Sequence, residues 1–199
     1  QNQVLVRLKK QNGFSLVEMM VVLAIFSIIT GVVIANIPKL RNKTSIDLVA
    51  QSIALHVRGA QVYGIGTRQI SGGDGSIVTP KSFGVHFDVA QNQKQFLLFA
   101  DIVNNKFFDG NFDCAPTSEC VEVYNLKNVR LNNVLKNGDS DINQPIDIVY
   151  TRPRSEAEFC VDEICGDDFS YVAVELVDSD GEVRRIEIWR NGQIAVKKP

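Results

Sequence analysis

Glu18 is the one charged side chain in the run from Phe14 to Pro38, FSLVEMMVVLAIFSIITGVVIANIP. Such a carboxylate can snorkel to the headgroups at a helix end, or it can meet a cation inside an assembly. Near the middle of a spanning helix a charge costs roughly 2.5–3.5 kcal/mol, and less near the end. Charge alone leaves both readings open. The four cysteines are a second reactive set. An even count beyond a membrane anchor implies disulfides. Three connectivities are open, and proximity favours Cys114 with Cys120 and Cys160 with Cys165. Zinc ligand pairs typically have about two to four residues between them. "CAPTSEC" has five and "CVDEIC" four, a poor fit to zinc. A third set is rich in hard oxygens, which calcium prefers: Asp101, Asn104, Asn105, Asp109, Asn111 and Asp113. Asp109, Asn111 and Asp113 mimic the opening of an EF-hand loop. Cys114 then stands where glycine is required and Cys120 where the bidentate glutamate would be. Asx-rich turns account for the same letters, so no metal is expected.

Enzyme motifs are absent: there is no G-x-S-x-G, H-E-x-x-H or Walker A, and "GIGTRQ" lacks the third glycine of G-x-G-x-x-G. With two histidines in the chain, base-dependent chemistry has few candidates. His56 has no partner motif around it and reads as a packing residue. No enzyme activity and no cofactor are expected.

These residues must be carried by a chain of 199 residues, 45% hydrophobic and 22% charged. That suffices for one core. The net charge of −2 supplies no field to recruit nucleic acid or anionic lipid. The apolar letters are concentrated in the first quarter. From Phe14 to Ile37 the run is long enough to cross a hydrocarbon layer of about 30 Å at about 1.5 Å per residue. Met19 to Ile29 has almost no polar face, unlike a buried core helix. A secretory signal peptide would need a small-residue cleavage site after the apolar run, and none follows clearly. Three cations precede the run (Arg7, Lys9, Lys10) and three follow it (Lys39, Arg41, Lys43), so loop charge does not set its orientation. The chain opens on Gln1 and not Met, so the natural start is expected to lie elsewhere.

Pro38 is a candidate kink or break. Beyond it Ile46, Val49, Ile53, Val57 and Ala60 recur at helical steps, with Asp47, Gln51, Arg58 and Gln61 largely between them. This predicts an amphipathic helix ended by Gly64 and Gly66. "SGGDGS" (71–76) reads as a loop. The period then becomes two. "SFGVHFD" puts Phe83, Val85 and Phe87 on one face. "QFLLFA", "VEVYNL", "VRLNNV" and "IDIVYT" are further strands. "YVAVELV" and "EVRRIEIWR" flank Asp178-Ser179-Asp180-Gly181, and Asn191-Gly192 precedes "QIAV". These hairpin signals predict a three-stranded antiparallel meander with Ile186 and Ile188 toward the core. The fold class is α+β.

"GFSLVEMMVVLAIFSII" resembles the amino terminus of type IV pilins and type II secretion pseudopilins. The resemblance covers roughly residues 7–38. Lys9, Lys10 and Gly13 match the end of a basic leader, Phe14 the first mature residue, and Glu18 the glutamate fifth from it. It implies cleavage between Gly13 and Phe14 by a prepilin peptidase and methyltransferase, followed by N-methylation of Phe14. It also implies that Glu18 attracts the terminal amine of a neighbouring subunit during assembly. A long helix capped by an antiparallel β-domain is the implied fold. The implied partners are other pilin or pseudopilin subunits, an inner-membrane assembly platform and the lipid bilayer. "FGVHF", "FADIVNNKFFDGNFD" and "RRIEIWRNGQI" are similar to the H-type minor pseudopilins. The expected organisation is a leader (1–13), a transmembrane and assembly helix (14–38), an amphipathic second half (39–66) and a β-rich head (67–199) outside the cytoplasm. The competing class is a single-pass anchored domain with its own binding or enzymatic activity.

Overall fold

The computed structural model describes residues 13–71, 76–110, 112–114, 118–166 and 168–199. The leader up to residue 12, the loop 72–75 and Asn111 lie outside the described residues. In chain order the elements are one long helix, α1 (Leu16–Ile65), then β1 (Ile70–Ser71), β2 (Ile77–Val78), β3 (Ser82–Phe87), β4 (Gln95–Asp101), β5 (Cys120–Asn125), β6 (Val129–Lys136), β7 (Ser140–Asp141), β8 (Ile146–Thr151), β9 (Ala157–Val161), β10 (Ile164–Gly166), β11 (Tyr171–Asp178), β12 (Val183–Trp189) and β13 (Ile194–Lys197). The class is α+β. The chain divides into two units, residues 1–41 and 42–199.

In the first unit the backbone is helical from Leu16 onward and through Pro38, so the proline does not separate two helices.

The second unit carries a two-stranded ribbon, β1-β2, and two larger sheets. One has the order β10-β9-β8-β3-β4-β5 and the other β13-β12-β11-β6-β7, with every pairing antiparallel. The helical stripe Ile46, Ala50, Ile53, Val57 and Ala60 is fully buried. It joins one cluster with Val85, Phe87, Phe96, Ile148, Tyr150 and Phe159 of the first sheet and Leu131, Val174, Leu176, Ile186 and Ile188 of the second. Tertiary packing on this stripe holds the helix, more than local propensity does. Gln61, read from spacing as lying between the core positions, is buried; its Nε2 donates to Ser155 O at 2.9 Å.

β4 is apolar on both faces because both are covered. Phe96 and Leu98 enter the main cluster, while Leu97 and Phe99 join Val149 in a second one on the other side, with Phe108 and Phe112 packed over it. Gly84 makes room for that packing, since a Cβ there would lie 2.5 Å from the Phe99 ring. The carboxy-terminal meander is β11-β12-β13, with Ile186 opposite Val174 and Ile188 opposite Val172. Asp178 shapes its first turn by accepting from the N–H groups of Asp180 and Glu182, each at 2.9 Å. Gly181 and Gly192 occupy the turns at φ 82° and 83°, where a side chain would be strained.

Candidate functional site

The amino-terminal residues are presented openly. Among the described residues nothing lies within 4 Å of where a Gly13 Cβ would be, and Phe14 is 77% exposed. From Leu16 to Ala35 the helix is 20 residues long, apolar, and unburied throughout. At about 1.5 Å per residue that is about 30 Å, the thickness of a hydrocarbon layer. Length and composition thus make it a membrane-capable segment.

Glu18 is exposed and lies in the first turn of α1, where the helix macrodipole favours a carboxylate. With Leu16 as the first helical residue, Ser15 stands at the cap and Glu18 three residues on, the S-x-x-E order of a capping box. That order is legible from the spacing of Ser15 and Glu18 alone.

The cysteines pair as Cys114–Cys120 and Cys160–Cys165. The second pair is also a register pair, with Cys160 opposite Cys165 across β9 and β10.

The oxygen-rich loop after β4 is organised by its own carboxylates. Asp101 Oδ1 accepts from the N–H groups of Asn104 and Asn105, at 2.5 and 3.0 Å. Asp101 Oδ2 accepts from the Lys106 N–H at 3.2 Å and the Ser82 hydroxyl at 3.0 Å. Asp109 accepts from the Asn105 amide at 2.5 Å. The carboxylate of Asp101 is thereby engaged with donors of its own loop and strand. Asp109 and Asp113 are not gathered with it around a shared point: among the described residues no group of three His, Cys, Asp or Glu is placed to share a metal ion.

The structure adds a residue that the sequence reading did not single out. Glu119 is 4% exposed. Its Oε1 accepts from the N–H groups of Ile102 and Val103 at 2.6 and 2.9 Å, and its Oε2 from that of Asp109 at 3.4 Å. Burial pushes its carboxyl above the ordinary range; the three N–H groups pull the other way. His86 and Asp147 form a second buried pair, Nδ1 to Oδ1 2.8 Å, with the rings of Phe108 and Phe112 beside the imidazole. The 2.8 Å contact satisfies both buried side chains, as a packed structural pair does. His56 packs on Tyr124, ring centroids 3.7 Å apart.

Residues 8–34 match the family model of the prokaryotic N-terminal methylation motif. The match supports a precursor of the pilin and pseudopilin superfamily, processed by a prepilin peptidase and assembling with other subunits. No curated protein and no solved structure matches the chain.

Proposed function

We propose that the chain is a minor pilin or pseudopilin subunit of a type IV pilus or type II secretion filament, closest in pattern to the H-type minor pseudopilins. The prepilin peptidase cuts between Gly13 and Phe14 and the new amine is methylated. Residues 14–38 anchor the subunit in the inner membrane, and the β-rich head stands outside the cytoplasm. Glu18 then pairs with the terminal amine of a neighbouring subunit. A carboxylate and an ammonium desolvated together offset each other, and either alone in lipid is penalised.

The observation that carries this reading is the unburied, membrane-length segment Leu16–Ala35, with Glu18 its one charge, overlapping the matched motif at residues 8–34. A second feature supports assembly. On the head portion of α1, Leu48, Leu55 and Val62 stand at seven-residue spacing and are 65, 71 and 58% exposed. Gly59, near them on that face, has open space beside it. Large apolar residues flanking a small one suit the close approach of a second helix.

The test begins with the mass of the chain in cells holding the peptidase. A chain starting at methylated Phe14 is expected, and Gly13 replaced by a bulky residue should block the cut. Glu18→Gln then separates the roles of the carboxylate, because glutamine keeps the capping box and removes the charge. Membrane insertion should hold and filament incorporation should fall. An intact leader would return the chain to the class of anchored domains, and equal incorporation would remove the charge pairing.

A further inference from the structure

The hairpin of β9 and β10 presents Ile164 at 74% exposure, the most exposed large apolar side chain among the described residues of the head. Beside it Glu163 is exposed, and its carboxylate has no partner among the described residues. A single exposed isoleucine needs no explanation by itself. This one is held in place. The Cys160–Cys165 disulfide closes the hairpin behind the tip. The Asp162 N–H donates to Pro145 O at 3.1 Å, and Gln144 Nε2 donates to Asp162 Oδ2 at 3.1 Å. Asp162 and Glu163 both sit in the left-handed region, which non-glycine residues keep only where their surroundings dictate it.

A depression of about 320 Å³ is lined by Lys94 before β4, Leu126 after β5, Val129 and Arg130 of β6, and Val177 and Asp178 of β11. Leu126 and Val129 are buried, and Lys94 and Arg130 are exposed. Arg130 has a neutral partner, Gln93, with Nη1 to Oε1 at 3.4 Å. Among the described residues no carboxylate pairs with it or with Lys94. The carboxylate of Asp178 is engaged elsewhere: Oδ1 accepts from the N–H groups of Asp180 and Glu182, and Oδ2 is buried. The depression therefore offers apolar surface beside two cations. β5 and β10 are the opposite edges of the first sheet. β4, which Lys94 precedes, and β9, which the tip follows, are three strand spacings apart, about 14 Å. The tip thus stays clear of its own chain's depression.

The two surfaces are complementary. A free carboxylate gains charge-assisted hydrogen bonds from an ammonium and a guanidinium. An isoleucine beside it leaves water against Leu126, Val129 and Val177. A neutral ligand would leave both cations unanswered. Because tip and depression lie on different edges, a contact between two copies is heterologous. It leaves the second copy's own tip free, so it can repeat from head to head. A hairpin tip covers far less than the roughly 800 Å² per partner of a stable interface, so the heads meet weakly by themselves. Chains anchored in one bilayer meet at a high effective concentration, and the contact acts there.

We propose that the tip of one copy, Glu163 and Ile164, seats in the depression of a second copy, between Lys94 and Arg130. The proposal rests on the assembly reading above and extends it from the helix to the heads. Its readout is the head contact itself, so it can fail while assembly through Glu18 stands. Unlabelled and isotopically labelled full chains are mixed in phospholipid bicelles and treated with a carbodiimide, which joins a carboxylate to a touching lysine amine with loss of water. Digestion and mass spectrometry should find Lys94 joined to Glu163, with the two isotopes mixed in the linked pair. Ile164→Ser and Arg130→Gln keep both reactive groups. Each should lower the yield of that link roughly three- to tenfold, as the loss of one apolar or one charge-assisted contact allows, with the melting temperature unchanged. Mixing Lys94→Glu chains with Glu163→Lys chains should give a link between positions 94 and 163 with the charges exchanged. No link in the parent, a link within one isotope only, links from Lys94 spread evenly over the exposed carboxylates of the head, a yield unchanged in either variant, or no link in the exchanged mixture would overturn the proposal.

Discussion

Glu119 turns its carboxylate inward, against the N–H groups of Ile102, Val103 and Asp109. Burial holds its carboxyl above the ordinary value of 4.5. The folded state therefore keeps the proton to higher pH than the unfolded chain does. Stability from this group is fully present below the unfolded value and is lost as pH rises through the folded one. Glu119→Gln has no such titration. The difference in melting temperature, parent minus variant, should fall as pH is raised from 4 to 7, and scanning calorimetry at several pH values reads it. A flat difference would mean that the three N–H groups fully compensate the burial. Residues of this kind are hard to see in a sequence, because their partners are remote: Glu119 reaches back 16 and 17 positions, and His86 meets Asp147 across 61. Glu18 was legible for the opposite reason. It stands alone among apolar neighbours, and the run announces it.

The helix and the meander were legible as elements because their periods and turns are local. Ile46, Ile53, Val57 and Ala60 mark the buried stripe, and Asp-Gly and Asn-Gly mark the hairpins. β9 and β10 were not foreseen. Their turn uses Asp162 and Glu163 at φ 48° and 67°, non-glycine residues in the left-handed region, so the usual hairpin letters are missing. The two faces of the helix make contrasting predictions. Ile53 is fully buried, and Ile53→Ala should cost the head about 2–5 kcal/mol through lost transfer energy and a cavity. Leu55 is 71% exposed, and Leu55→Ala should stay within about 0.5 kcal/mol. Chemical denaturation compares them directly; equal costs would show that the exposed residue is covered after all. Each disulfide closes a short loop, with sequence separations of 6 and 5. Replacing either pair by serines should cost about 2 kcal/mol, because a small loop removes little unfolded-chain entropy. Denaturant midpoints of the two double variants read that cost.

At the scale of the whole molecule, both buried clusters are built from residues of the head. The main buried cluster and its partly buried neighbours run from Ile46 to Val196, and the second cluster lies between Leu97 and Val149. Among the described residues, none before residue 42 enters either. The ion pair of Arg184 with Asp47 and the contacts of Gln61 likewise lie within residues 42–199. Apolar surface that stays exposed adds no hydrophobic stabilisation, and Leu16–Ala35 is unburied throughout. Residues 42–199 without the preceding segment should therefore fold alone, as a soluble domain with both disulfides. The purified fragment should melt in one cooperative transition and keep its four cysteines closed to alkylation. The remaining helix keeps its packed stripe but loses the turns before it, so fraying at its new amino terminus is expected, with fast amide exchange near residues 45–48 and slow exchange from Ile53 onward. Exchange that is fast along the whole helix, or a fragment that unfolds without cooperativity, would mean that the head depends on the segment before it. A stable fragment would instead show that the folding of the β-rich head is independent of the apolar segment that precedes it.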